Sequence, residues 1–268
     1  MDKLAKTVSS FFATIQLAIS FLTIIPLYRG EIASEREMAN SLRAFPLVGG
    51  VLGLILAGVY FLTDQLHMGF GGSALVVVLW LIITGGLHGD GVMDTADGVF
   101  SGKERTKKLE IMRDSRVGAM GVMAFVSLVI LKICFLASLP VHIAMWAVTI
   151  APIVGRTVML YAMLQFPYAR TGGGLGNRFG TLNVGQKSLV AVITFMTALI
   201  FLFAMSSWQS VITGAGVFVV AGVLSGAFAH WIAGILHGHT GDSYGAVCEV
   251  AETITLMTAL VFWGIGNG

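Results

Sequence analysis

The chain has 268 residues, of which 56% are hydrophobic and 11% charged, against roughly 25% charged in soluble domains. With a mean hydropathy of +0.87, this composition excludes an ordinary water-soluble core, and apolar runs long enough to cross a bilayer of about 30 Å recur along the whole length. A net charge of +2 is too small to attract nucleic acid by bulk electrostatics, so no such partner is expected.

The pattern implies an all-α, polytopic helical membrane protein. It forms a single integral membrane domain over 1–268, with seven to eight transmembrane or interfacial helices near 8–28, 45–63, 73–99, 118–138, 141–164, 188–206, 211–236 and 243–264. Lys3 and Lys6 precede the first run as in a secretory signal, but no small-x-small cleavage site follows it and the charged stretch Tyr28-Arg29-Gly30-Glu31 does. That segment is therefore a retained anchor or a half-buried interfacial piece. Nearly all Arg and Lys fall in 29–44, 100–117 and 165–187, whereas 64–72, 138–140 and 207–210 carry none. The positive-inside rule assigns the basic face to the cytoplasm. Cys134 and Cys248 have no second thiol or imidazole at a zinc-ligand spacing, so no disulfide framework is implied.

The third run ends in Gly85-Gly86-Leu87-His88-Gly89-Asp90-Gly91-Val92-Met93-Asp94-Thr95-Ala96-Asp97-Gly98. Asp90, Asp94 and Asp97 stand at i, i+4 and i+7, on one face of a helix. An ionised aspartate at the centre of a membrane helix costs about 2.5–3.5 kcal/mol, and these three also repel one another. Protonation, a salt bridge or a divalent cation can compensate; an all-oxygen donor set suits Mg²⁺, with Mn²⁺ as the alternative ion. His88 falls nearly opposite the aspartates and is left out of that set.

In the loop that follows, Glu110 and Asp114 lie at i and i+4 among Lys103, Arg105, Lys107, Lys108, Arg113 and Arg116. For Lys103, Arg105, Lys107 and Lys108, topology alone is the simpler reading. Asp242, Glu249 and Glu252 line one side of the last span. They can serve a second metal or pair with Arg156, an arginine inside the 141–164 run that needs a partner in hydrocarbon. The segment 167–180 holds Arg170 and Arg178 among five glycines. It lacks both the Walker A ending and a true G-x-G-x-x-G, though flexible amides with two arginines can cradle a diphosphate.

The stretch GGLHGDGVMDTADGVFSGKERTKKLEIMRDSRVGAMG, residues 85–121, closely resembles the signature of cobalamin synthases, the adenosylcobinamide-GDP ribazoletransferases. Similar segments run the length of the chain: Phe21 to Pro26, Phe45 to Gly49, Gly155-Arg156, Pro167 to Gly172, and Thr240-Gly241-Asp242 through Glu252. The chain departs from the family's usual pattern at Gly89, where a larger apolar residue is common, and at His237-Gly238-His239, which replaces a glycine-rich run.

The resemblance implies a reaction in which a hydroxyl of α-ribazole or its 5′-phosphate attacks the phosphate on cobinamide in adenosylcobinamide-GDP and GMP leaves. It also implies that Asp90, Asp94 and Asp97 hold Mg²⁺, with Asp94 or Asp97 taking the hydroxyl proton. Glu110, Arg113, Asp114, Arg116, Arg156, Arg170, Arg178, Asp242, Glu249 and Glu252 are the expected substrate-binding residues. Arg170 and Arg178 are assigned to the nucleotide, the acidic helix to the transferred phosphate. The implied setting is the cell inner membrane, multi-pass, with the site facing the cytoplasm; corrinoid nucleotide, α-ribazole and lipid are the partners, and a homo-oligomer is left open. The alternatives are a phosphotransferase of the CDP-alcohol type acting on lipids and, in another class, a cation transporter.

Overall fold

The computed structural model describes residues 2–30, 33–170 and 208–267. The regular secondary structure of the described residues is all helical, apart from one isolated bridge between Tyr168 and His239. The expected span 188–206, Arg178 and the glycines from Gly172 onward lie outside the described residues.

Helix α1 covers Asp2–Leu22 and α2 Glu35–Ser41. The α1 stretch Phe12–Leu22 is apolar. It is docked on the body: Leu17, Ala18 and Leu22 are buried in one cluster with Leu42, Phe45 and Ile153, and beyond the helix end the Ile24 amide donates to the Ile83 carbonyl at 2.8 Å. Helix α2 starts at a capping box in which Ser34 Oγ accepts from the Glu37 amide and the Ser34 amide donates to the Glu37 carboxylate, satisfying two helix-end groups reciprocally.

After a 3₁₀ turn at Leu42–Ala44, α3 runs from Phe45 to Gln65 and packs against α8, Val141–Gln165. Gly49 and Gly53 make this approach close, because a Cβ on either would collide with the Pro152 or Thr149 backbone. Small residues four apart let two membrane helices meet backbone to backbone, where van der Waals contact is the main attraction available in lipid.

The expected continuous span 73–99 is broken. Helix α4, Phe70–Ile83, and helix α5, Leu87–Val99, meet at a bend of 88°. The cause is local: Gly85 and Gly86 both have left-handed backbones, at φ +63° and +68°, which only glycine adopts without strain. The acidic residues therefore sit on a short helix of their own.

Helix α6 is Arg105–Ile111 and α7 is Ala119–Ala137. Helix α9, Trp208–Leu236, and helix α10, Gly241–Asn267, complete the described chain. Five helical stretches among the described residues are long and apolar enough to cross a membrane, and the bent pair makes a sixth. The protein is an all-α, multi-pass membrane protein. Cys134 and Cys248 are free thiols, the first exposed and the second buried.

Candidate functional site

Asp90, Asp94 and Asp97 share one face of α5, the first exposed and the other two half-buried. Helix α10 is laid across α5 with no side chain at the crossing points: a Cβ on Gly91 would strike the Asp242 backbone, and one on Gly245 would come within 3.1 Å of the His88 Cα. This crossing delivers Asp242, in the first turn of α10, to the aspartates. Asp242, Asp90, Arg170 and Asp97 are all within electrostatic reach of the Asp94 carboxylate. Arg170 Nη2 donates to Asp242 Oδ2 at 2.7 Å and to the Met112 carbonyl at 3.2 Å. Four carboxylates from two helices and one guanidinium thus gather where α5, the start of α10 and the segment leaving α8 meet. Gly89, one of the departures from the family pattern, faces Phe125: a Cβ there would lie 2.6 Å from Phe125 Cε2, so the aromatic ring fills the volume that a larger residue 89 would occupy.

Asp97 differs from its two neighbours. Its oxygens accept from the Gly118 amide at 2.6 Å and the Gly121 amide at 2.8 Å. Gly118 is the N-cap residue of α7, so a carboxylate on one helix caps the N-terminus of another, satisfying otherwise orphaned N–H groups. Both glycines are required, since a Cβ on either would meet the Asp97 carboxylate. Among the described residues, no hydrogen bond reaches Asp94.

The loop residues assigned to substrate stand further out. Glu110 pairs with Lys107 at 2.7 Å, both well exposed, and Arg113 is exposed. Asp114 accepts from the Arg116 guanidinium and backbone amide; these bonds hold its carboxyl down at about 2. Arg116 itself is open to solvent.

Arg156, Glu249 and Glu252 are brought together, but in a buried ion cluster separate from Asp242. Arg156 Nη1 donates to Glu252 Oε1. The partner that sequence reading missed is Lys132 of α7, 1% exposed: its Nζ lies 2.5 Å from Glu249 Oε2 and 2.6 Å from Glu252 Oε2, and 4.3 Å from the centre of the Trp80 ring. Two cations and two carboxylates cancel, as intramembrane charges must. The pairing of Arg156 with the acids of the last span is thus found, with one acid rather than three. The requirement that every charge inside an apolar run find a partner could have pointed to Lys132 as it did to Arg156.

His88 is buried beside this cluster, away from the aspartates. It could share a metal with Cys248 and Glu252, whose ligand atoms lie within 4.8 Å of one another, but Glu252 already holds two cationic side chains, and a divalent ion there would have to displace them.

Together the fold and the site define a polytopic membrane protein with a carboxylate-rich polar centre where its helix ends converge. The chain belongs to the cobalamin-5-phosphate synthase family, whose model matches residues 14–260. It is 40% identical over 250 residues to an adenosylcobinamide-GDP ribazoletransferase of Desulforamulus reducens, covering 93% of this chain and 97% of that protein. It is also 40% identical over 248 residues to a protein of the same name from Roseiflexus sp., covering 92% and 89%, and 35% identical over 251 residues to one from Thermoanaerobacter pseudethanolicus, covering 91% and 94%. No solved structure matches it.

Proposed function

We propose that the protein joins adenosylcobinamide-GDP to α-ribazole or its 5′-phosphate, giving adenosylcobalamin or its 5′-phosphate and GMP. The observation that carries this reading is the convergence of Asp90, Asp94, Asp97 and Asp242 with Arg170 in a chain whose relatives bear that activity in their names. A cation transporter gives no role to the Arg170 guanidinium held among the acids, and no pair of matching broken helices is present among the described residues.

The donor set is oxygen only, which fits Mg²⁺ or Mn²⁺ and disfavours softer ions. Asp90, Asp94 and Asp242 would hold the ion, and Asp97, its orientation fixed by the α7 amides, would complete the set through its remaining lone pairs. When bound, the metal supplies charge neutralisation to the phosphate oxygens of the transferred group.

The residues have separable tasks. Asp94, free of hydrogen bonds among the described residues, takes the proton of the attacking ribazole hydroxyl. The new O–P bond forms at the cobinamide phosphate, the bond from that phosphorus to the bridging oxygen breaks, and GMP departs with that oxygen. Arg170 Nε has no partner among the described residues and is the donor for a phosphate oxygen. Arg113 and Arg116, on the rim, meet the remaining nucleotide charge. Because its guanidinium is tied to Asp242, Arg170 belongs with the acidic centre as much as with a separate nucleotide loop.

The reading is tested with purified protein in detergent. GMP release is expected from adenosylcobinamide-GDP with α-ribazole 5′-phosphate, and no CMP from CDP-diacylglycerol with an alcohol acceptor; the reverse preference makes it a lipid phosphotransferase. The location proposed is the cell inner membrane, with the acidic centre toward the cytoplasm. Single cysteines placed in a background lacking Cys134 and Cys248 should label from the cytoplasm at 103–108 and from the opposite side at 64–72; same-side labelling contradicts the orientation.

A further inference from the structure

Helix α6 ties together the parts of the centre that come from distant stretches of sequence. Arg105, its first residue, donates from Nε to the Leu236 carbonyl and from Nη2 to the Ala169 carbonyl, each at 2.7 Å. Leu236 is the last residue of α9, where carbonyls lack helical partners and a positive charge is favourable. Ala169 immediately precedes Arg170. The two chain segments that Arg105 grips are themselves zipped: the Ala169 amide donates to the His239 carbonyl at 2.7 Å, and the His239 amide to the Pro167 carbonyl at 3.0 Å. The turn between α9 and α10 fits this pairing through Gly238, at φ +134°, whose missing side chain leaves room for the Pro167 carbonyl. Arg170 and Asp242 emerge from the zipped segments and meet. On its other side α6 is fastened to the acidic helix: Lys108 Nζ donates to the Val99 carbonyl at 2.6 Å, and Met112 is buried against Gly98.

We propose that Arg105 is a positioning residue for phosphoryl transfer, setting Arg170 and Asp242 against the carboxylates of α5 through its two-carbonyl fork. This rests on the function proposed above. A guanidinium can hold two diverging carbonyls in one plane; an ammonium offers a point charge with no fixed fork. A loop arginine that served membrane topology alone would be replaceable by lysine, because the positive-inside rule counts charge and not geometry. Arg105 touches no reacting group, so its effect travels through Arg170 and Asp242, where a misplacement of about 1 Å costs on the order of 10²-fold in rate.

Two variants and two readouts test this. Arg105→Lys and Arg105→Ala should lower kcat for GMP release by about 10–100-fold while KM for adenosylcobinamide-GDP changes less than about 3-fold. Adding Arg105→Ala to Arg170→Ala should cost less than the product of the two single losses, since residues acting through one another are not additive. Amide exchange at Ala169 and His239, the two zipper donors, should quicken in Arg105→Lys, and this readout needs no turnover. Wild-type kcat in Arg105→Lys, multiplicative losses in the double variant, or unchanged exchange at both amides would each overturn the proposal. Should Arg105→Ala fail to fold, exchange and kcat in Arg105→Lys decide. Should the wild-type protein release no GMP at all, the functional reading fails, and exchange alone decides whether the clamp exists.

Discussion

Asp94→Asn is expected to lose GMP release by about 10³-fold, the scale of removing a proton acceptor or a charge-stabilising group from a reacting centre, while the protein remains folded in the membrane. The two halves of that expectation have one cause. Asp94 accepts no hydrogen bond among the described residues and faces Asp242, Asp90 and Asp97, so removing its charge relieves repulsion and breaks no structural contact. Asp97→Asn, which sequence alone groups with Asp94, should behave differently. Its carboxylate caps α7 through the Gly118 and Gly121 amides, and an asparagine there keeps one acceptor oxygen where two are needed. Activity should fall together with thermal stability. Steady-state kinetics alongside melting in detergent separates the pair; near-normal turnover in Asp94→Asn would reassign that residue to structure.

The largest stability effect is expected at Lys132. Lys132→Met leaves Glu249 and Glu252 buried with only Arg156 to balance them, and breaking a buried ion pair by removing one partner costs about 3–5 kcal/mol. Expression and melting temperature should drop sharply. Combining Lys132→Met with Glu249→Gln removes one charge of each sign, leaves the Arg156–Glu252 pair intact and should restore much of the loss. A Lys132→Met protein as stable as wild type would show that the cluster contributes nothing to the fold.

Membrane class and helical character were legible because composition and run length are decided by the solvent, whatever the tertiary detail. The acidic face of α5 was legible because Asp90, Asp94 and Asp97 lie within two helical turns, where spacing alone fixes their relation. The break before α5 was not read, although Gly85-Gly86 stood in plain view: glycines are frequent in membrane helices, and only the realised left-handed backbone distinguishes a hinge from a packing contact. Asp242 and Arg170 could be named as polar residues in the right chemical class, but their meeting depends on the crossing at Gly91 and Gly245 and on the zipper at Ala169 and His239. These contacts join residues more than 60 positions apart, which no local period encodes. Lys132 was hidden by averaging, one charge in an otherwise apolar run. The distinct role of Asp97 was hidden because its partners are backbone amides of another helix.

The carboxylate centre at the meeting of α5 and α10 is proposed to carry out metal-assisted phosphoryl transfer that joins the two halves of the cobalamin nucleotide. The most direct measurement is GMP release by metal-stripped protein, supplied with adenosylcobinamide-GDP and α-ribazole 5′-phosphate, as Mg²⁺ is titrated back. No GMP is expected without the ion, with restoration by Mg²⁺ or Mn²⁺ and one joined corrinoid product per GMP, and Asp90→Asn and Asp242→Asn should need more ion for half-maximal rate. GMP release that ignores both chelator and these substitutions, or that proceeds without a joined product, would rule out metal-assisted transfer at this centre.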